Sequence, residues 1–260
     1  MKAFHRLLTG ICYNRELVKS ENKVRAGARA PAVPERGRGK LRLAALDSAE
    51  TVSELTTNRL SVYLRCLNAL DEAGVRTVSS RDLAEQFHLN APQIRKDLAY
   101  FGEFGVRGVG YYVPELRDHL RQILGVHHRV RVAIMGAGNL GLALADYPGF
   151  RTEGFEIAAL FDTTRDKIGH RSRGGVPIHD IREFRRIVRR ERVRIAVIAV
   201  PAAAAQAVVN TVVEAGIKAV LNFSPGTLKV PRHVKLKSVD LTVSLESLSF
   251  FLAQGESDGE

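Results

Sequence analysis

The sequence predicts an α/β protein in two parts: an N-terminal winged helix-turn-helix domain, then a Rossmann-like doubly wound parallel sheet. Three observations predict it. First, residues 51–127 carry three short stretches with apolar residues at helical spacing, each with its own start signal, followed by a glycine-rich run. Second, from Val130 onward β-branched and apolar runs alternate with helical stretches, the pattern of a parallel sheet buried on both faces. Third, the stretch "VRVAIMGAGNLGLALADYPGF" (130–150) places G-x-G-x-x-G between a strand and a helix.

Residues 1–50 precede this pattern. Their segment "VRAGARAPAVPERGRGKLRLAALD" is rich in Arg, Gly, Ala and Pro and has no apolar period. It is read as a largely disordered basic extension, with a short helix near Phe4–Val18. The chain of 260 residues has a formal net charge of +11, but that charge is unevenly placed. Residues 1–50 hold 11 Lys/Arg against 5 Asp/Glu, residues 51–129 hold 10 against 9, and residues 130–260 hold 18 against 14. A polyanionic partner and a solvated basic tail both fit the excess. No apolar run reaches the length of a membrane span, and the first 20 residues lack a signal-peptide core. Two cysteines, Cys12 and Cys66, make no disulfide framework, so a reducing cytoplasm is the expectation.

The elements then follow in order. In "SELTTNRLSVYLRCLNALDEAG", Leu60, Leu64, Leu67 and Leu70 share a helix face, and Gly74 closes the helix. "SSRDLAEQFHLN" begins a second helix, with Ser79 and Asp82 at capping-box spacing. "LNAPQIRKDLAYFG" begins a third, with Asn90 as N-cap, Pro92 in the first turn and Gly102 at the end. "EFGVRGVGYYVP" reads as a hairpin wing and "PELRDHLRQILG" as a connecting helix. Strands are predicted at "VRVAIM", "FEIAALF", "RIAVIAV", "IKAVLNF" and "HVKLKSV". Helices are predicted near Leu140–Asp146, Ile181–Arg190 and Ala202–Ala215. "SLESLSFFLAQ" places Leu245, Leu248, Phe251 and Leu252 on one face of a last helix. The boundaries drawn are 1–50 for the extension, 51–127 for the winged helix, 128–242 for the nucleotide domain and 243–260 for the final helix and tail.

In the glycine motif, Gly136 permits the tight turn, Gly138 lets backbone approach a pyrophosphate, and Gly141 lets helix and strand pack closely. The helix start, with Ala137, Asn139 and Leu140 around those glycines, offers unpaired N–H groups and partial positive charge. Asp162 ends the next strand, 21 residues beyond Gly141, where a carboxylate accepts hydrogen bonds from an adenosine ribose. It would repel a 2′-phosphate, which favours NAD over NADP, although Arg165 lies close by. Another adenine nucleotide, such as coenzyme A, is the alternative ligand.

On the third helix Ile94, Leu98 and Phe101 face inward, leaving Gln93, Arg95, Lys96 and Tyr100 outward. Such a helix fits a major groove, with Arg and Gln suited to bases and Lys to phosphate. Arg107 sits at the wing tip. The plainer reading is a small helical domain with solvated charges.

An NAD-dependent oxidoreductase with an appended helical domain is the rival. It needs a placed acid or base beside the nicotinamide. His170, His179 and His233 lie in no catalytic pattern, no Tyr-x-x-x-Lys pair occurs in the later loops, and the His127–His128 pair lacks further metal ligands. Neither a catalytic residue nor a metal site is assigned.

The segments "RLSVYLRCL", "SSRDLAEQFHLNAPQIRKDLAYFGEFGVRGVGYYVPEL", "GAGNLGLALADYPGF", "GGVPIHD", "VIAVPAAAAQAVVN", "GIKAVLNFSPGTLKVP" and "SVDLTVSLESLSFFL" together resemble the Rex redox-sensing transcriptional repressors, from about Thr56 to Leu252. The resemblance implies a homodimer that binds palindromic operators and leaves DNA when NADH accumulates. It implies that the helix near Ser244–Ala253 is swapped between subunits. It matches Arg95, Lys96 and Arg107 to DNA contacts, and Gly136, Gly138, Gly141 and Asp162 to the adenosine and pyrophosphate site. Val200, Pro201 and Asn222 join the cofactor candidates. Tyr147 matches a tyrosine near the nicotinamide, and Asp240 an acid that pairs either with that tyrosine or with an arginine of the first helix, here Arg65. Asn139 stands where relatives can carry arginine, which implies weaker phosphate binding if that charge assists it.

Overall fold

The structure is a computed structural model that describes residues 52–257, with side chains through residue 253. The expected basic extension and the short helix near Phe4–Val18 lie outside the described residues. The chain forms two compact units, divided between His127 and His128.

The first unit opens with α1 (Glu54–Glu72), capped by Ser53, whose hydroxyl accepts from the Thr56 N–H at 3.1 Å. Leu60, Leu64, Leu67 and Leu70 are all buried, as their spacing predicts, and Tyr63 and Cys66 widen the same face. Two residues of strand follow, β1 (Thr77–Val78), then α2 (Ser80–Phe87) and α3 (Ala91–Phe101). Both expected caps form: Ser79 accepts from Asp82 N–H at 3.0 Å and Asn90 from Gln93 N–H at 2.9 Å. The wing differs from a simple hairpin. Val106 and Gly110 exchange backbone hydrogen bonds around a tight turn, and β2 (Tyr111–Tyr112) pairs antiparallel with β1 instead of with its own preceding residues. Gly110 makes this possible, since it has φ +98° and a Cβ there would stand 2.5 Å from the Val78 carbonyl oxygen. Helix α4 (Val113–Ile123) buries Val113, Leu116 and Leu120 and packs on α1.

The second unit is a six-stranded, all-parallel sheet. Its strands are β3 (Val130–Met135), β4 (Phe155–Asp162), β5 (Ile178–Asp180), β6 (Ile195–Ile198), β7 (Ala219–Asn222) and β8 (Lys235–Ser238). Their spatial order, β5-β4-β3-β6-β7-β8, is the doubly wound order with the chain reversing direction beside β3. β3 shows why the strand runs are continuously apolar. Ala133 and Met135 pack into the core under α7 (Phe184–Arg190) and α8 (Ala202–Glu214), while Val132 and Ile134 pack into the opposite core with α5 (Asn139–Ala145). Two short elements carry too little pattern to be read from sequence: β5, three residues after Pro177, and α6 (Pro148–Thr152), five residues.

The final helix, α9 (Leu241–Ser257), is exposed at every described side chain. Leu245, Leu248, Phe251 and Leu252 are each more than 60% exposed, so the helix does not lie on its own sheet.

Candidate nucleotide site and nucleic-acid interface

The nucleotide site starts where β3 ends. Gly136, with φ +104°, donates its N–H to the Phe161 carbonyl at 2.8 Å, and a Cβ on it would lie 2.4 Å from the Ala199 carbonyl oxygen. A Cβ on Gly141 would lie 1.9 Å from the Gly136 carbonyl oxygen, so helix and turn meet backbone to backbone. Gly138 is the opposite case: a Cβ there meets nothing within 4 Å. It is the N-cap of α5 and brings no side-chain cap to the first N–H groups of the helix. The three glycines therefore divide into two that fold the loop and one that leaves room for a ligand.

Asp162 closes the loop from β4. Its Oδ2 accepts from the Ala137 N–H at 2.8 Å, and its Oδ1 accepts from Thr163 and Thr164 N–H, both at 2.8 Å. Burial works against the charged form. The hydrogen bonds from Thr164 and Ala137 and the Lys167 ammonium at 3.4 Å outweigh it and hold the carboxyl down at about 2. An ionised carboxylate thus sits at the end of β4 beside the glycine loop, with Lys167, not Arg165, as its cation.

Tyr147 begins α6, with its ring edge-to-face on Phe150 at 5.2 Å. A Cβ on Gly149 would fall 2.4 Å from that ring, so the ring lies over the glycine. Asp146, unnoticed in the sequence, fixes this turn: its Oδ1 accepts from Ser172 Oγ at 2.5 Å and from Gly174 N–H at 2.8 Å. The paired glycines of "SRGGV" were its available signal, since a Cβ on Gly174 would meet Asp146 Oδ1 at 2.7 Å.

Val200 and Pro201 lie in the loop between β6 and α8, with Val200 beside the glycine turn; Val200 Cγ1 is 3.0 Å from the place a Gly136 Cβ would take. Asn222 is a scaffold residue. It is fully buried, donates to the Ser224 carbonyl at 2.9 Å and Ser238 Oγ at 3.3 Å, and accepts from Ser224 N–H at 2.9 Å. Ser224 Oγ donates in turn to the Val200 carbonyl at 2.6 Å. Asn222, with Ser224, thus ties together the chain at the C-terminal ends of β6, β7 and β8. Asp240 caps α9, accepting from Thr242 N–H at 2.9 Å and Val243 N–H at 3.4 Å.

In the first unit, Arg95, Lys96 and Tyr100 lie exposed on α3, and Arg107 is exposed at the wing tip. Arg95 Nη1 donates to Ser80 Oγ at 2.9 Å. Gln93 is turned inward instead of outward: its Nε2 donates to Asp97 Oδ1 at 2.8 Å. Asp97 is the centre of this unit's polar structure and escaped the sequence reading. It is 4% exposed and takes a bidentate pair from Arg59 at 2.6 and 2.8 Å and a hydrogen bond from the Tyr63 hydroxyl at 2.9 Å. Burial alone would raise its carboxyl, but the donors from Arg59, Gln93 and Tyr63 lower it below the ordinary range. Its position was legible, because 94, 97, 98 and 101 form one i, i+3, i+4, i+7 face and Asp97 is the acid in it. Arg65 is exposed on α1.

A recognition helix and wing in one unit, and a glycine loop with an acid at the next strand end in the other, define a nucleotide-responsive DNA-binding regulator. Residues 51–99 match the sequence profile described as "Putative DNA-binding protein N-terminus", and residues 127–226 match that described as "CoA binding domain". The redox-sensing transcriptional repressor Rex of Chloroflexus aurantiacus is 45% identical over 209 residues, 80% of this chain and 98% of the relative. That of Carboxydothermus hydrogenoformans is 49% identical over 199 residues, 76% and 95%. Among solved structures, the Rex-family repressor RSP in complex with NAD+ and operator DNA matches with a TM-score of 0.75 at 39% identity, covering 79% of this chain and 94% of RSP. The chain belongs to the Rex family of redox-sensing transcriptional repressors, which are not enzymes.

Proposed function

We propose that this chain binds NAD(H) at the glycine loop, binds palindromic operator DNA through α3 and the wing, and releases that DNA as NADH accumulates. The observation that carries the reading is the glycine loop: open at Gly138, rigid at Gly136 and Gly141, and held by an ionised Asp162. The residues fit a dinucleotide. The α5 start and the Gly138 backbone would hold the pyrophosphate, Asp162 the ribose, and Tyr147 and Val200 the region of the nicotinamide. RSP supports the assignment, since its structures include one with NADH and one with NAD+ and operator DNA.

The bound nicotinamide supplies a ring that is cationic when oxidised and neutral when reduced. Tyr147 and its apolar neighbours favour the neutral form. The working assembly is a homodimer in the cytoplasm, with α9 swapped so that its exposed leucines and phenylalanines are covered by the partner. No helix among the described residues is long and apolar enough to cross a membrane. Asp240 is the switch: in one state it pairs with Tyr147, in the other with Arg65. Moving such a balance from 1:99 to 99:1 takes roughly 5.5 kcal/mol of differential affinity, shared over two sites. The test is a gel shift on a candidate palindrome with NAD+ and NADH titrated separately; indifference to both sinks the sensor. Asp240→Ala is expected to flatten the NADH response, and a wild-type response removes Asp240 from the switch.

The match to a "CoA binding domain" profile favours coenzyme A as second ligand reading. Fluorescence titration with NADH and coenzyme A separates the two.

A further inference from the structure

The positive charge of the second unit is concentrated in one place. Residues 130–260 hold 18 Lys/Arg against 14 Asp/Glu, yet residues 182–194, "REFRRIVRRERVR", hold seven arginines against two glutamates. Outside that stretch the count is 11 against 12, a net −1. All seven arginines are exposed, because Phe184, Ile187, Val188 and Val193 take the inward positions. Those at the start are neutralised: Arg182 pairs with Asp180, Arg185 with Glu214 and Arg186 with Glu183. At the end only Arg190 is paired, with Glu191. Arg189, Arg192 and Arg194 have no carboxylate within ion-pair distance among the described residues.

The topology adds to this end. Helix α7 delivers the chain to the start of β6, so Arg192 and Arg194 stand at the N-terminal edge of the sheet, opposite the edge that carries the glycine loop. Arg194 N–H donates to the Arg131 carbonyl at 2.9 Å, and the register Ile195↔Ala219 sets exposed Lys218 level with Arg194 on the next strand. The carboxylates facing this row, Glu156 and Glu191, are both held by Arg131. Exposed Arg129 lies just before β3, where the chain arrives from the first unit.

We propose that this rim, Arg129, Arg189, Arg192, Arg194 and Lys218, is a second DNA-binding surface that contacts duplex phosphates without reading sequence. Adjacent strands lie about 4.8 Å apart, so the row is a compact cationic strip. Four of its five members are arginines, whose planar forks suit phosphate oxygens. Duplex DNA is the polyanion because the strip's charge complements phosphate and the same chain carries a DNA-binding unit, and to that extent the proposal rests on the function given above.

The test uses the full chain with Arg189→Gln, Arg192→Gln, Arg194→Gln and Lys218→Gln combined. Binding to a 40-bp operator duplex and a 40-bp random duplex is measured by anisotropy across salt concentrations. Each lost phosphate contact removes about 0.9 from the slope of log K against log salt. The expected result is a slope shallower by about 2–3 and about tenfold weaker binding to both duplexes at roughly 0.1 M salt. Operator preference and NADH fluorescence should stay within twofold of wild type. Unchanged slopes, or a loss on the operator alone, overturn the proposal. If the fourfold variant melts early, Arg192→Gln with Lys218→Gln replaces it, with about threefold weaker random-duplex binding expected and no change overturning. A wild-type chain with no operator preference condemns the recognition helix, while the random-duplex comparison still decides the rim.

Discussion

Asp97 and Asp162 each sit under the functional element of their own unit, but they are held differently. Asp97 receives side chains that start 34 and 38 residues away, Tyr63 and Arg59, and so binds α3 to α1. Asp162 receives backbone N–H groups, from Ala137 across the glycine loop and from its own neighbours Thr163 and Thr164. Side-chain donors make a clamp between helices. Backbone donors fix the shape of a loop, and at Asp162 the Lys167 ammonium joins them on Oδ2. The first carboxylate therefore joins two helices, and the second holds one loop.

Removing each carboxylate is the direct way to break that contrast. Asp97→Ala leaves Arg59 and Tyr63 without their acceptor in a nearly dry site; because Arg59 is partly exposed, about 3 kcal/mol is expected from the first unit. Denaturant melts followed by far-UV circular dichroism check it, and NADH affinity should not move. Asp162→Ala should reverse the pattern, with about 1–2 kcal/mol lost and NADH binding at least tenfold weaker. Equal stability losses from the two variants would erase the distinction.

Acid titration sharpens it. The folded-state value of Asp162 is depressed to about 2, against about 4 in an unfolded chain. Its contribution, about 2 kcal/mol, is complete above the unfolded value and is lost as pH falls from about 5 toward 2. Melts of wild type and Asp162→Asn between pH 7 and 3 should converge as pH drops. Curves that stay parallel contradict the depressed value.

The glycines repeat the contrast inside one loop. Gly141→Ala drives a methyl group to 1.9 Å from a backbone oxygen that cannot yield, with about 1–3 kcal/mol of destabilisation expected and nucleotide binding lost with it. Gly138→Ala enters open space, so melting should shift by little more than a degree while NADH affinity falls about tenfold. A Gly138→Ala protein that binds NADH normally would show that no ligand approaches there.

What the sequence made legible follows from range. Caps and glycine roles are set by residues three to five apart, and Ser79, Asn90, Gly136 and Gly141 act as their spacing predicts. Strands of two or three residues have no period to read, so β1 and β5 stayed hidden, and with them the true partner of the wing strand. Polar side chains misled where a buried partner claims them. Gln93 looks outward on a helical wheel until Asp97 is placed on the inner face. The apolar character of α9 was plain, and its leucines and phenylalanines stand exposed in the single chain.

The smallest expected effect concerns Cys66, which shares the buried face of α1 with Tyr63 yet takes no part in the Asp97 cluster. Burial pushes its thiol up to about 12, against a weaker opposite pull from its helix backbone and Arg65. At neutral pH the thiolate fraction is then on the order of 10⁻⁵, too small for a sensor thiol. In a Cys12→Ser background, alkylation of the native protein should be slower than that of the denatured chain by several orders of magnitude. Cys66→Ala, which deletes one small buried group, should cost about 1 kcal/mol and leave the NADH response of operator binding within twofold. Operator affinity that shifts with peroxide in this background, and ceases to shift in Cys66→Ala, would move part of the redox sensing from the nucleotide to the thiol.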